Sequence, residues 1–365
     1  MPLPAQPRVK RRTHRNDLHI AALLIYPVKA CQGVYLDEAQ LTEHGTLAYD
    51  REWCVVDASG NRHPRMQSLS QRNLPALATI RVDIDVARGR LTLNAPNMPP
   101  LGVSVAAVAK SEKRQEQQLE VECGASSTTS AGAWHLGVMA SEDAGEVASK
   151  WLTRYLNAAD EPGKLTKSPA VYRLVRAAAV RSLSRYAGPT QVPFTTDVAK
   201  QRAGTGSPFK METIPVLPSD GFLFHDVAPL HLASIASFAD LKNKMAKIKP
   251  TPKQDELTSY QVTCFRPNII VTGGSPWEEE GWAVFGLGTS LTFRRLKGCP
   301  RCTVPARNQS TGKFHFSSGP FLAPQKTMRQ FWPEKCIDKQ WEEEWQGPVF
   351  GVHVGLTPPK TCEAP

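Results

Sequence analysis

The chain has 365 residues, 41% of them hydrophobic, with 30 prolines, 25 glycines and a formal net charge of +10. That length and composition describe a globular, loop-rich and strand-rich protein with a sizeable core and, at roughly 150 residues per domain, two lobes. The positive balance suits anionic partners, but the cations are dispersed apart from Arg8–Arg15 and Lys242–Lys249, and no RNA-reading motif or basic region with heptads accompanies them, so no nucleic-acid partner is expected.

At the N-terminus, Pro7–Arg15 is basic but lacks an apolar helical face, so a disordered tail is expected rather than a transit peptide. A strand is expected over Ala21–Tyr26, stopped by Pro27. The apolar run His19–Tyr26 falls far short of the roughly 20 residues of a membrane span, so no transmembrane anchor is expected. A second strand covers Trp53–Val56 and turns at Asp57–Asn61. Val82, Ile84 and Val86 alternate with polar residues, Ala87–Arg90 turns the chain, and Leu91 and Leu93 resume the alternation, which predicts a hairpin. The polar stretch Lys110–Ser130 reads as a long surface loop without function. Ser141 is expected to cap a helix with Glu142 and Asp143 in its first turn and Val147, Trp151, Leu152 and Tyr155 on one face.

Tyr186–Asp220 has no periodicity and reads as an excursion over the surface. Ile235, Phe238, Leu241 and Met245 form a helical stripe, which is core more often than a cofactor box; the lysines of 242–249 read as its solvated face. A linker over Pro250–Tyr260 leads to a buried strand over Asn268–Gly274. Leu291–Leu296 alternates like a half-buried strand and leads into Gly298-Cys299-Pro300-Arg301-Cys302-Thr303, a strand-to-loop turn. Val349–Val354 is a final apolar segment. There is no internal repeat.

Eight cysteines are scattered through the chain, and without an apolar signal segment they read as the thiols of a reducing compartment. Cys299 and Cys302 have the spacing of half a zinc site, but a closed site needs four ligands and no second CxxC exists. A thioredoxin-like pair needs a helix N-terminus to lower the thiol pKa, whereas Thr303-Val304 reads as β-like. On spacing alone, buried inert cysteines remain an alternative.

Short motifs set the chain in a wider context: Ile25-Tyr26-Pro27-Val28-Lys29-Ala30-Cys31-Gln32-Gly33-Val34, Asp50-Arg51-Glu52-Trp53, Phe265-Arg266-Pro267-Asn268-Ile269, Cys299-Pro300-Arg301-Cys302-Thr303 and Gly347-Pro348-Val349-Phe350-Gly351. By these residues, in this order across 20–357, the chain resembles the MOSC family of molybdenum-cofactor proteins, in particular the amidoxime-reducing components. The resemblance implies a mixed α/β, β-rich fold, with an N-terminal β-rich MOSC-associated domain and a C-terminal MOSC β-barrel. The expected divisions are a basic tail over 1–18, the first domain over 19–172, the MOSC domain over 173–358 and a tail over 359–365.

By the same resemblance, Cys302 is the catalytic thiolate that ligates molybdenum, a role suited to a soft donor. Arg301 beside it is expected to help keep the thiolate deprotonated, and Pro300 lies in the same cofactor-contacting turn. Lys29, Arg51 and Arg266 match the family's basic cofactor contacts and Asn268 its pterin-contacting amide. Each has an ordinary explanation singly, such as Arg51 stacking on Trp53; jointly they point to a site. Other cofactor-binding positions depart from the pattern. Ala30 replaces a serine, Val227 and Ala228 offer only backbone amides where the animal reductases offer hydroxyls, and His353 stands where those reductases have a tyrosine.

The activity so implied is reduction of N-hydroxylated compounds at the molybdenum cofactor (Mo-molybdopterin). The chain has no C-x4-C-x2-C cluster pattern, haem-attachment motif or dinucleotide fingerprint, so electrons are expected from outside. The family's donors are cytochrome b5 and NADH-cytochrome b5 reductase, and the positive chain complements an acidic haem protein. The rival readings are a cofactor carrier without redox turnover and a MOSC scaffold that has lost its cofactor. A cytoplasmic monomer is expected, with the mitochondrion as the alternative compartment.

Overall fold

The computed structural model describes residues 18–59, 65–105, 119–125, 134–159, 169–178, 181–182, 221–226, 228–288, 290–321, 323–335 and 348–357. The first strand, β1 (His19–Ile25), ends just before Pro27, and β2 (Val34–Leu36) pairs back on it. Then come β3 (Trp53–Asp57), β4 (Arg65–Gln67) and an antiparallel meander of β5 (Arg81–Asp85), β6 (Arg90–Asn94) and β7 (Leu101–Ser104). The antiparallel pair β8 (Leu119–Ala125) and β9 (Trp134–Asp143) leads into helix α1 (Glu146–Ala158), followed by β10 (Tyr172–Ala177). β11 (Arg181–Ser182) pairs with β12 (Gly221–Phe222).

The remaining elements are β13 (Leu230–Ser234), α2 (Ile235–Met245), α3 (Gln254–Ser259), β14 (Ile269–Thr272), β15 (Val284–Leu287), β16 (Leu291–Pro300), α4 (Gln325–Lys335) and β17 (Val349–Thr357).

These strands build a five-stranded sheet, β3-β10-β9-β8-β4, and a seven-stranded sheet, β15-β16-β17-β13-β14-β1-β2. The fold is therefore β-rich, with few helices. β1 is antiparallel to β14, so residues 19–36 complete the sheet of the C-terminal lobe. The division expected between 172 and 173 falls inside β10, a strand of the five-stranded sheet. Chain order and spatial order differ because β1 pairs with β14, far later in the chain, as well as with its neighbour β2.

Trp53, Leu77, Leu152, Tyr172 and Leu174 fill the core of the first lobe. One face of the seven-stranded sheet buries Leu232, Ile269, Phe293, Val352 and Val354. The other packs Phe238, Leu241, Tyr260, Phe265 and Phe350 with Met328 of α4. Each such side chain, fully buried, contributes about 1.5–3 kcal/mol. No helix among the described residues is long and apolar enough to cross a membrane.

The structure corrects several local expectations. Ser141 is buried within β9 and does not cap α1, which starts after Gly145, a residue with φ of 97°. The inward face of α1 is Ala148, Trp151, Leu152 and Leu156, while Val147 is 76% exposed. Val86 lies in the turn after β5 and is exposed. The stretch Lys110–Ser130 contains β8, since pairing with β9 and β4 outweighs its polar composition. The linker over Pro250–Tyr260 contains α3, whose Glu256 carboxylate accepts the Lys253 N–H at 2.9 Å. β16 continues through Cys299 to Pro300, and Val304–Ala306 forms a 3-10 turn rather than a β segment. Residues 8–15, all of 186–220 and Val227 lie outside the described residues.

Candidate functional site

The site is assembled where β16 leaves the seven-stranded sheet. Pairing with β17 shifts register between Arg295 and Lys297 and again between Gly298 and Pro300, and such bulges bend a strand and re-aim its side chains. A Cβ at Gly298 would lie 2.6 Å from Val349 Cγ1, so only glycine allows this close approach. Cys299 is thereby buried, and burial raises its pKa. Cys302, two residues beyond the strand, is exposed and free. Gln325 of α4 donates from Nε2 to the Cys302 carbonyl and anchors the loop.

Arg301 is held by hydrogen bonds to the backbone. Its Nε and Nη2 donate to the Phe350 carbonyl at 2.9 and 2.7 Å, and Nη1 donates to the Phe265 carbonyl at 3.0 Å. Nη2 also meets the His231 ring. These bonds direct the guanidinium to the start of β17 and to the turn before Arg266. Arg301 therefore locks the Cys302 loop in place, and its charge reaches the thiol only through space.

Arg51 and Asn268 converge on Asp50, with Arg266 beside Arg51. The fully buried Asp50 carboxylate accepts from the Tyr26 N–H at 2.7 Å and from Asn268 Nδ2 at 2.9 Å, meets His225 Nε2 at 3.0 Å and bonds Arg51 Nη1. Burial pushes its pKa up, but Arg51 and His225 outweigh that and bring it to about 2. Arg51 also donates to Asn268 Oδ1 at 3.1 Å and to the Arg266 carbonyl at 3.3 Å. Arg266 donates to the Cys31 carbonyl at 2.7 Å. Both guanidiniums lie on the Tyr26 ring, 4.7 and 4.2 Å from its centroid. Arg51 thus stacks on Tyr26, whereas Arg176 lies over Trp53. Ala30, Arg51 and Arg266 have φ of 70°, 52° and 58°, a left-handed conformation that is unfavourable without glycine and clusters at functional sites.

Lys29, itself buried, pairs with Asp226 at 2.8 Å. The Asp226 side chain is 76% open to solvent, and Lys29, then Arg72 and Arg51, hold its pKa below the ordinary carboxylate range. Ala228, two residues on, is buried; the Ala30 carbonyl accepts from Gln71 Nε2 at 2.7 Å.

His353 aligns with His231 on one side and Lys297 on the other, so three adjacent strands carry a row of basic side chains. The two rings lie 5.9 Å apart, and all three residues are buried. Burial, then Arg301 and His353, holds His231 well below the usual imidazole range; burial, then Lys297 and Arg301, does the same for His353. His353 Nδ1 has no hydrogen-bond partner among the described residues. Gly351, with φ of 70°, brings the β17 backbone against His231; a Cβ there would lie 2.5 Å from its Nε2.

Residues 17–159 match the family model of the MOSC N-terminal beta barrel domain, and residues 220–358 match that of the MOSC domain. The chain is a MOSC-domain protein. Relatives of this MOSC protein include mitochondrial amidoxime-reducing component 1 of Homo sapiens, 24% identical over 98% of this chain and 85% of that protein. Mitochondrial amidoxime reducing component 2 of Rattus norvegicus is 24% identical over 96% and 82%. Molybdenum cofactor sulfurase of Oryza sativa subsp. japonica is 25% identical over 84% of this chain but only 30% of that protein.

Of the positions singled out in sequence, Lys29, Arg51, Arg266, Asn268, Arg301 and His353 surround one region of this MOSC protein. Ala30, Ala228, Pro300 and Cys302 lie on the segments beside them. Sequence reasoning missed Asp50, His225, His231 and Lys297. Asp50 stood inside a quoted motif; nothing local marked the other three, whose sheet neighbours are distant in the chain.

Proposed function

We propose that this MOSC protein binds molybdenum cofactor and reduces N-hydroxylated compounds, amidoximes among them. The observation that carries the reading is the exposed Cys302 thiol on a loop locked by Arg301 beside the Arg51–Asn268–Arg266 cluster. The donor set fits the group. A solvent-facing thiol suits a soft metal, the ammonium and guanidinium groups suit a phosphate and a polar pterin, and the orphaned His353 Nδ1 offers a further polar contact. Asp226 opposes an anion but is already matched by Lys29.

Cys302 would hold the metal, with Lys29, Arg51, Arg266 and Asn268 around the remainder of the cofactor. When bound, the cofactor supplies two-electron oxygen-transfer chemistry. Arg301 and Gln325 keep the thiol in place, and the Asp50 hub keeps Arg51 and Asn268 oriented. Reduction of an amidoxime breaks its N–O bond, consumes two electrons and two protons, and yields an amidine and water. The electrons come from separate proteins, cytochrome b5 and its NADH-dependent reductase, whose acidic haem partner the net charge of +10 complements.

The test is the molybdenum-to-protein ratio of protein made in a host that supplies the cofactor, together with benzamidoxime turnover in the presence of the donors. A ratio near one that falls towards zero in Cys302→Ala, with turnover lost, is expected. A variant that keeps metal and turnover would remove Cys302 as ligand. The match to a molybdenum cofactor sulfurase favours a second reading, a carrier; loaded protein that hands cofactor to an apo-enzyme but never turns over would establish it.

A further inference from the structure

A second basic feature lies apart from the thiol. α2 ends at Met245, and the chain that follows runs past α4 so that Lys244, Lys247, Ile248 and Lys249 face Lys326, Arg329, Gln330 and Phe331 across a cavity of about 670 Å³. The lysines that read in sequence as a solvated helix face thus line a concavity shared with a helix some 80 residues later.

Lys244 is already matched: it pairs with Asp240 at 2.7 Å and lies over the Phe331 ring at 4.8 Å. Lys326 donates to the Lys249 carbonyl at 2.9 Å, which clamps the two walls together. Among the described residues, Lys247, Lys249, Lys326 and Arg329 make no ion pair with a carboxylate. Four like charges facing one space repel one another, and a multivalent anion removes that repulsion. The volume falls within the roughly 300–1,000 Å³ of small-molecule sites. The lining, however, is cationic with an apolar floor of Ile248 and Phe331, which excludes a neutral apolar ligand.

We propose that this concavity is a binding site for a compact polyanion carrying two or more phosphates. Lys247, Lys249, Lys326 and Arg329 meet the phosphates, with Gln330 as a neutral donor. The site is independent of the cofactor reading. It does share α4 with the thiol loop, because Gln325, the residue before Lys326, bonds the Cys302 carbonyl.

Isothermal titration of the full chain with inorganic tripolyphosphate tests the proposal. Expected is saturable one-site binding that weakens at least tenfold in Lys247→Glu/Arg329→Glu and is unchanged in Lys150→Glu, a reversal on α1 that removes the same kind of charge elsewhere. All three exchanged positions, Lys247, Arg329 and Lys150, are exposed, and unfolding midpoints verify that the variants fold. Absence of saturable binding overturns the site, as does equal loss in the Lys150→Glu control or binding that survives the double variant. A soluble polyphosphate and a phosphorylated lipid headgroup share this chemistry. Sedimentation with phosphatidylcholine vesicles containing a bisphosphorylated inositol lipid separates them: recruitment lost in the double variant assigns the headgroup, and no recruitment alongside tripolyphosphate binding assigns the soluble anion. Tight binding of hexaglutamate with none of tripolyphosphate would make the surface a protein-docking patch and overturn the proposal.

Discussion

Asn268 Nδ2 lies 2.9 Å from Asp50 Oδ2, a hydrogen bond between residues 218 positions apart that joins the turn after β2 to the start of β14. Around it, one buried carboxylate holds the chain after β1, through the Tyr26 N–H, and two candidate cofactor contacts, Arg51 and Asn268. Its loss would leave Arg51 and Asn268 without their shared acceptor.

Asp50→Ala is therefore expected to destabilise the protein by about 3–5 kcal/mol, the range for breaking a buried ion pair, as read from urea unfolding. The folded pKa of Asp50 is lowered from 3.8 to about 2, so the wild type binds fewer protons folded than unfolded between those values. Its stabilisation is complete above pH 4 and disappears as pH falls through 2, a change of roughly 2 kcal/mol at 1.36 kcal/mol per unit. Asp50→Ala should lack this acid-range loss.

His225, His231 and His353 are each held below the imidazole value of 6.5, with burial the largest cause in each case. The unfolded chain takes up protons on them first, so the stability they contribute is present above pH 6.5 and declines below it. The slope is about 1.4 kcal/mol per pH unit for each histidine that stays neutral in the fold. Replacing His353 by Gln should flatten unfolding free energy against pH between 6.5 and 5 by that amount. An unaltered slope would mean that His353 protonates freely in the folded protein.

Glu279 has the opposite sign. It is fully buried, accepts from Ser237 Oγ at 2.7 Å, and its Oε1 has no partner among the described residues. Burial raises its pKa from 4.5 to about 7. The folded state binds the proton more tightly, so this contribution is complete below pH 4.5 and is lost as pH rises through 7. Glu279→Gln should raise stability by about 1–3 kcal/mol at pH 8 and leave it little changed at pH 5, measured by denaturant titration at the two pH values.

Alkylation separates the thiols. Cys31, Cys54, Cys264 and Cys299 are buried, and burial raises Cys31 to about 12 and Cys264 to about 11, whereas Cys302 is exposed. Because the thiolate is the nucleophile, brief native treatment with iodoacetamide, followed by peptide mass mapping, should modify Cys302 well ahead of these four. Comparable labelling of Cys299 would show that the end of β16 opens in solution.

Local pattern carried much of the fold. Alternation in residues 82–93 and the Gly89 turn specify the β5–β6 hairpin, and the stripe from Phe238 to Met245 specifies α2, because neighbours in sequence are neighbours on one face. The motifs around Lys29, Arg51, Arg266 and Cys302 likewise contain the residues of the candidate site. The misplaced cap of α1 and the unforeseen β8 show where pattern yields: a polar segment becomes a strand when β9 offers it a ladder.

What the sequence by itself determined is the β-rich class, the family resemblance and the short segments that carry the candidate site residues. Tertiary structure alone decided that β1 completes the sheet of the other lobe, that Arg301 binds the Phe350 and Phe265 carbonyls, that Asp50 gathers Arg51, Asn268 and His225, and that Lys247 faces Arg329. Periodicity and turn chemistry act over a few residues and can be read in order. Partners 175 to 218 residues apart, such as Asp50 with His225 and Asn268, meet only because the packed sheets bury them together, where an unmatched charge is far more costly than in water.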